Sequence, residues 1–249
     1  MKVVFSRKGF DSSAGGFPSP IIDGRPITLP IPTQRRSVTT YGDLGLGDIV
    51  GHLTKGKLTR KTLCHYDPMF EGGYCAFGQT GAAQAHLCKN GVTVGDVFLF
   101  FGLFAEPDGG DRHHRIFGYL EVQRVYAIGA KPDPSDQPSG FSSTHPHTIG
   151  EWNRNNTIYV GRGQIAATAP PILRLSISGE KVSRWRVPPW LRAAGLTYHR
   201  RPERWEENAI LNVASRGQEF ITDTSNVPDA AAWLDGVKVA IGGGAHDHG

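Results

Sequence analysis

Twelve residues, GDVFLFFGLFAE at 95–106, limit the fold more than any other stretch. From Val97 to Leu103 only Gly102 is not apolar, and the run follows a Gly-Asp turn. A strand with one wet face would alternate, whereas so continuous a run needs cover on both faces and predicts a central strand. FGYLEVQRVYAIG follows at 117–129, with Tyr119, Glu121 and Gln123 alternating against Leu120, Val122 and Arg124. The intervening AEPDGGDRHHR is polar, so an antiparallel pair across a hairpin-like connection is expected.

MKVVF reads as a short apolar strand, and PITLPIP (26–32) as an extended segment suited to a sheet edge, because proline has no ladder N–H. TGAAQAHLCKNG reads as a short helix stopped at Gly91. NTIYVG and ILNVASRGQEFITD read as strands, LRLSISGEKVSRW as a hairpin turning at Ser178-Gly179, and VPPWLRAAG and VPDAAAWLDGV as short helices. No element is assigned to 37–62, despite weak helical periodicity around Leu44–Leu53, and CHYDPMFEGGYCAFGQ reads as loop. Residues 131–156, with four prolines, form a long surface loop. A chain of 249 residues with 39% apolar content can bury a sizeable core, and its 32 glycines and 17 prolines imply many turns. The expectation is one α+β domain over 1–241, mainly antiparallel, with short helices and long loops, and a flexible tail at 242–249.

No stretch of MKVVFSRKGF is apolar enough for a signal peptide, and no segment reaches about 18 uninterrupted apolar residues, so a cytoplasmic protein with no membrane partner is expected. Cys64, Cys75 and Cys88 lack the CxxC spacing of a zinc knuckle and read as reduced thiols. The net charge of +4 demands no acidic partner, so electrostatic arguments rest on local clusters.

The first cluster lies in SRKGFDSSAGGFPSPI, residues 6–21. A strand running into glycines, serines and a cation pair suits a phosphate: small residues let N–H groups approach the anion, and the cations neutralise it. Ser6, Arg7, Lys8, Ser12 and Ser13 would bind and Asp11 would be the reacting carboxylate, although neither GxxxxGK[ST] nor GxGxxG is present and an ordinary solvated loop is the alternative. The second cluster is His65 and Asp67 in CHYDP with His145 and His147 in THPHT. These residue types make either a metal site or a general base with an orienting carboxylate, and histidines on a proline-rich loop are by default plain polar residues. No metal is expected. Gln79 in FGQTGAAQAHL can read an amide-like or base edge, whereas Gln84 and His86 are expected to pack under the sheet. In SRGQEF, Arg216 and Gln218 are candidate ligand contacts and Glu219 a candidate acid/base; alternation separates Gln218 and Phe220 from Glu219.

SRWRVPPWLRAAGLTYHRRPERW, 183–205, holds six arginines, three tryptophans, one tyrosine and one acidic residue. Arginine clamps phosphates and aromatics stack on bases, so Arg184, Trp185, Arg186, His199, Arg200, Arg201 and Arg204 are the candidate nucleic-acid contacts. Core tryptophans or an acidic protein partner would explain the same composition.

The opening MKVVFSRKGFDSSAGGFPSPI, the central FGQTGAAQAHL and GDVFLFFGLF, the HPH and the late SRGQEF together resemble the nucleotide modification associated domain 3 family, a group of bacterial and phage proteins proposed to act in hypermodification of DNA bases. The resemblance spans nearly the whole chain. It implies a DNA base or nucleotide as substrate and other base-modification enzymes as partners, and names no cofactor or catalytic residue. Group transfer to a hydroxymethyl pyrimidine, glycosidic cleavage and phosphoryl transfer all remain open, beside a non-catalytic reader of modified bases. GDVFLFFG with FGYLEVQRV is also similar in layout to PUA-like domains, including the EVE and ASCH groups, which implies a partly open β-barrel with loops gathered at one mouth.

Overall fold

The computed structural model describes residues 1–11, 15–106, 108–207, 209–214 and 217–243. In chain order the first half holds strands β1 (Lys2–Arg7), β2 (Ser19–Ile22) and β3 (Arg25–Pro26), helix α1 (Gly47–Leu53), strands β4 (Met69–Glu71) and β5 (Tyr74–Gln79), and helix α2 (Gly81–Lys89). Strands β6 (Val97–Ala105), β7 (His113–Ala127), β8 (Thr157–Ile165) and β9 (Arg184–Arg186) follow, then α3 (Trp190–Ala194), β10 (Trp205–Glu206), β11 (Ile210–Asn212), β12 (Glu219–Asp223) and α4 (Pro228–Ile241).

The main sheet runs β12-β1-β6-β7-β8-β5-β4, with β2 pairing β6 beyond the end of β1 and β3 pairing β2. The apolar run is thus the interior strand β6, antiparallel to β7 as expected and parallel to β1. Its successive side chains enter opposite cores. Leu99 and Phe101 pack with Phe5, Trp185, Phe220 and residues of α4, while Phe98 and Phe100 pack with Phe77, Leu87 and Tyr159 on the other face. A third, smaller cluster of Phe10, Leu29, Tyr41, Val50 and Cys64 holds together the long connection between β3 and β4. The fold is α+β with a mostly antiparallel mixed sheet.

Among the described residues the sheet does not close: β12 and β4 end the strand order without pairing to each other, so the expected PUA-like, partly open barrel is not found. The stretch read as loop at 64–79 contains the β4–β5 hairpin, turning through Gly72 and Gly73 at φ 57° and 81°, a backbone region that glycine enters without a Cβ penalty. The weakly periodic segment near Leu44 yields α1. The late stretch read as one strand splits in two: β11 joins β9 and β10 in a separate three-stranded sheet, and β12 pairs β1. The polar connection after β6 ends sooner than expected, because β7 begins at His113 with Arg115 buried and donating to the Pro170 carbonyl at 2.9 Å. The three cysteines are free thiols. No described helix is long and apolar enough to cross a membrane. Of the tail, residues 244–249 lie outside the described residues.

Candidate functional site

Strand β1 delivers Arg7 and Lys8 to the end of the sheet, next to the end of β5 with Gly78, Gln79 and Thr80. Between them opens a cavity of about 250 Å³, also lined by Asp11, Ile31, His65, Asp67, His147, Trp152 and Gln218. Candidate residues from five separated parts of the sequence therefore share one cavity, because the parallel β1–β6 pairing and the antiparallel β5–β8 pairing bring these strand ends together.

Behind the Lys8 side of the cavity lies a buried ion pair, of which only Lys8 lines the cavity. Glu219 sits opposite Ser6 in the β1–β12 register, so both side chains share a face, and its Oε1 accepts from Lys8 Nζ at 3.0 Å and Gln79 Nε2 at 2.7 Å. The Thr80 N–H donates to Gln79 Oε1 at 3.0 Å, which fixes the amide so that its NH2 faces the carboxylate. Lys8 Nζ also lies 4.5 Å from the centre of the Phe77 ring. Glu219 Oε2, Ser6 Oγ and Thr80 Oγ1 are buried and have no hydrogen-bond partner. Burying such groups without partners costs on the order of 1–3 kcal/mol each; of the three residues only Thr80 lines the cavity.

The facing wall is a histidine cluster around Asp67. His65 Nε2 and His147 Nε2 each lie 3.6 Å from Asp67 Oδ2, and His145 Nε2 lies 3.6 Å from Oδ1. The Gly78 N–H donates to Oδ1 at 3.0 Å and holds the carboxylate in place. Burial alone would raise the Asp67 carboxyl, but His145 and His65 beside it reverse the sign and hold it below the usual carboxylate range. Burial drives His147 down to about 3 against the opposing pull of Asp67. His147 is also stacked on Trp152, with ring centres 4.0 Å apart, and the Arg36 guanidinium lies over the indole at 4.3 Å from the ring centre. Only glycine fits at 78: a Cβ there would stand 2.3 Å from the His147 ring. His65 is carried into place by its own N–H, which donates to the Ile31 carbonyl at 2.9 Å, and by the adjacent Cys64 in the third cluster.

The family model for nucleotide modification associated domain 3 matches residues 2–223. The chain belongs to that family. Neither the curated proteins nor the solved structures gave a match to the chain. The match to the family begins in β1 and ends in β12, so Lys8 and Glu219, near its two ends in sequence, form one contact at the site.

Other residues singled out from the sequence of this family member fall elsewhere. Ser12, Ser13 and Arg216 lie outside the described residues. Gln218 is exposed at the cavity rim, its backbone carbonyl accepting from the Arg7 N–H at 2.9 Å. Gln84 bonds the buried Tyr159 hydroxyl and His86 the Thr197 hydroxyl, as expected of a helix packed against the sheet.

The arginine-rich stretch does not line the cavity. Trp185 and Trp205 are core residues, donating to His114 Nδ1 at 3.0 Å and the His199 carbonyl at 2.6 Å, and offer no open ring face for stacking. Arg184 bridges Glu180 and Glu206, and Arg204 donates to the Asn212 carbonyl. His199 is buried and accepts from the Ala214 N–H at 2.9 Å. Arg186, Arg200 and Arg201 are exposed.

Trp152, Thr80, Ile31 and Asn156 were not singled out from the sequence. Asn156 directly follows a proline-rich loop and precedes a strand, a position with no pattern to mark it; only its bonds to His147 reveal its place.

Proposed function

We propose that the cavity binds a nucleotide, either free or as a base extruded from DNA, and that the protein takes part in modifying it. The observation that carries this reading is the convergence of Arg7, Lys8, Asp11, Gln79, His65, Asp67 and Gln218 on one cavity, in a chain whose family is described by association with nucleotide modification. A second cavity of about 240 Å³, lined largely by apolar groups such as Ile27, Leu44, Leu46 and Phe70, meets the first at Lys8, Gly9 and Asp67. An ionic compartment beside an apolar one suits a ligand that joins an anionic part to a flat heterocycle.

Within this reading Arg7, whose charge also interacts with that of Asp11, attracts the phosphate, and Lys8, paired with Glu219, stands beside it. Glu219 Oε2, with no hydrogen-bond partner, lies buried behind the lining residues Lys8 and Gln79, whereas Asp11 and His65 stand on the cavity wall as acid/base groups. A base within a duplex would have to leave the stack to reach so enclosed a position. The exposed Arg186, Arg200 and Arg201 would hold a DNA strand outside the cavity.

The test is mass spectrometry of nucleosides digested from the DNA of cells carrying the protein with its native neighbouring genes, against cells carrying Asp11→Ala. A nucleoside found only with the unaltered protein is expected. Identical profiles, together with no binding of nucleotides by the purified protein, would overturn the reading; identical profiles with retained binding of modified DNA would replace it with a reader.

A further inference from the structure

We infer that His65, Asp67 and His147 form a binding site for one divalent first-row transition-metal ion, of the Zn2+ or Fe2+ class, open toward the cavity. The three side chains each offer one ligand atom, and those atoms lie within 4.8 Å of one another.

The distances separate this from a set of hydrogen bonds. Both Nε2-to-Oδ2 separations are 3.6 Å, too long for a good hydrogen bond. Ligands held about 2.1 Å from one tetrahedral ion stand roughly 3.4 Å apart, so the two histidine–carboxylate pairs need only a few tenths of an ångström of closure, while the two histidines, within 4.8 Å of each other, would draw together by up to about 1.4 Å.

The proton positions agree. Asn156 Nδ2 donates to the His147 carbonyl at 2.9 Å, which leaves its Oδ1 to face His147 Nδ1 at 2.6 Å. An amide oxygen only accepts, so Nδ1 carries the hydrogen and Nε2 is the nitrogen left to take a metal ion beside Asp67 Oδ2. A metal-binding histidine held through its other nitrogen has this arrangement.

Asp67 is oriented in the same way. Gly78 N–H holds Oδ1 and leaves Oδ2 for the two histidines. His145 completes the inner side: its Nδ1 accepts from the His147 N–H at 3.2 Å, so its hydrogen is on Nε2, fully buried, unpartnered and directed at Oδ1. His145 is thus a positioning residue for the carboxylate. Two imidazoles and one carboxylate favour a transition metal over Mg2+ or Ca2+, which prefer oxygen ligands throughout. Three protein ligands leave coordination positions for water or a substrate atom.

The inference concerns the same cavity but does not need its ligand to be a nucleotide, so metal binding is measured on the full chain without substrate. Chelator-treated protein is titrated with Zn2+ by calorimetry and with Co2+ by visible absorption. One equivalent is expected to bind. His65→Ala and Asp67→Asn should weaken binding by at least tenfold, Asn156→Ala by about 10–100-fold, and His52→Ala, at an exposed histidine, not at all. The double substitution His246→Ala, His248→Ala should leave the stoichiometry at one, excluding a site near the C-terminus. His65 is the most exposed of the cluster, so its alanine variant is the one chosen to remain folded, checked by circular dichroism. Less than a tenth of an equivalent bound, or binding unchanged in folded His65→Ala and Asn156→Ala, would overturn the assignment.

Discussion

Lys8 Nζ lies 3.0 Å from Glu219 Oε1 across 211 residues of chain, in an ion pair whose side chains are 12% and 1% exposed. Removing one partner of so enclosed a pair leaves the other charged and uncompensated, at a cost of about 3–5 kcal/mol. Lys8→Met and Glu219→Gln should each approach that range in urea denaturation, and the double variant should lose clearly less than the sum. Strict additivity would mean that the two side chains are not coupled in solution.

Gly78→Ala should displace the His147 ring, because the added Cβ would stand 2.3 Å from it. Overpacking of this kind costs about 1–3 kcal/mol. The thermal midpoint should fall, and the His147 imidazole resonance should shift while that of the exposed His52 stays in place. An unshifted His147 resonance would mean that the hairpin moves instead of the ring.

Stability should decline in mild acid. Burial, with lesser contributions from Arg7 and His113 against Asp11, holds His114 down to about 3. His199 is held down to about 4, chiefly by burial. Between those values and the ordinary 6.5, the unfolded chain binds protons that the folded chain does not. Stability is therefore fully present above about 6.5 and falls as the pH drops below it, by up to about 1.4 kcal/mol per pH unit for each histidine. His114→Asn keeps an acceptor for the Trp185 N–H and should flatten the slope of ΔG between pH 6.5 and 4. An unaltered slope would locate the acid sensitivity elsewhere.

Replacing Arg200 and Arg201 by alanine should reduce the slope of log K against log salt for DNA by about 1–2, since each phosphate contact contributes about 0.9. Binding of a free nucleotide should be unchanged, because neither residue lines the cavity. An unchanged salt slope would remove this face from any account of DNA binding.

The β6–β7 pair was legible because a run as apolar as VFLFFGL can only be an interior strand, and α2 because its glycine stop is local. The β4–β5 hairpin was hidden: its strands are short, and Asp67-Pro68 and the double glycine resemble loop punctuation. Sequence spacing could nominate His65, Asp67, His145 and His147 but not bring them together, because 77 residues lie between Asp67 and His145 and only the folded sheet closes that distance. The tryptophans of 183–205 looked alike in composition, and their separation from a stacking surface follows from β9 and β10 packing Trp185 and Trp205 inward. Lys8 read as a phosphate cation because its counter-charge, Glu219, is remote in sequence.

Helix α4 lies wholly beyond the residues matched by the family, yet Leu234, Val237 and Ile241 share a core with Val3, Phe5 and Leu99. The same strand that leads into Lys8 at the cavity therefore rests its opposite face on this helix. A protein trimmed to the matched span would expose the underside of β1, and an inactive fragment of that kind would report on a missing floor rather than on the chemistry above it.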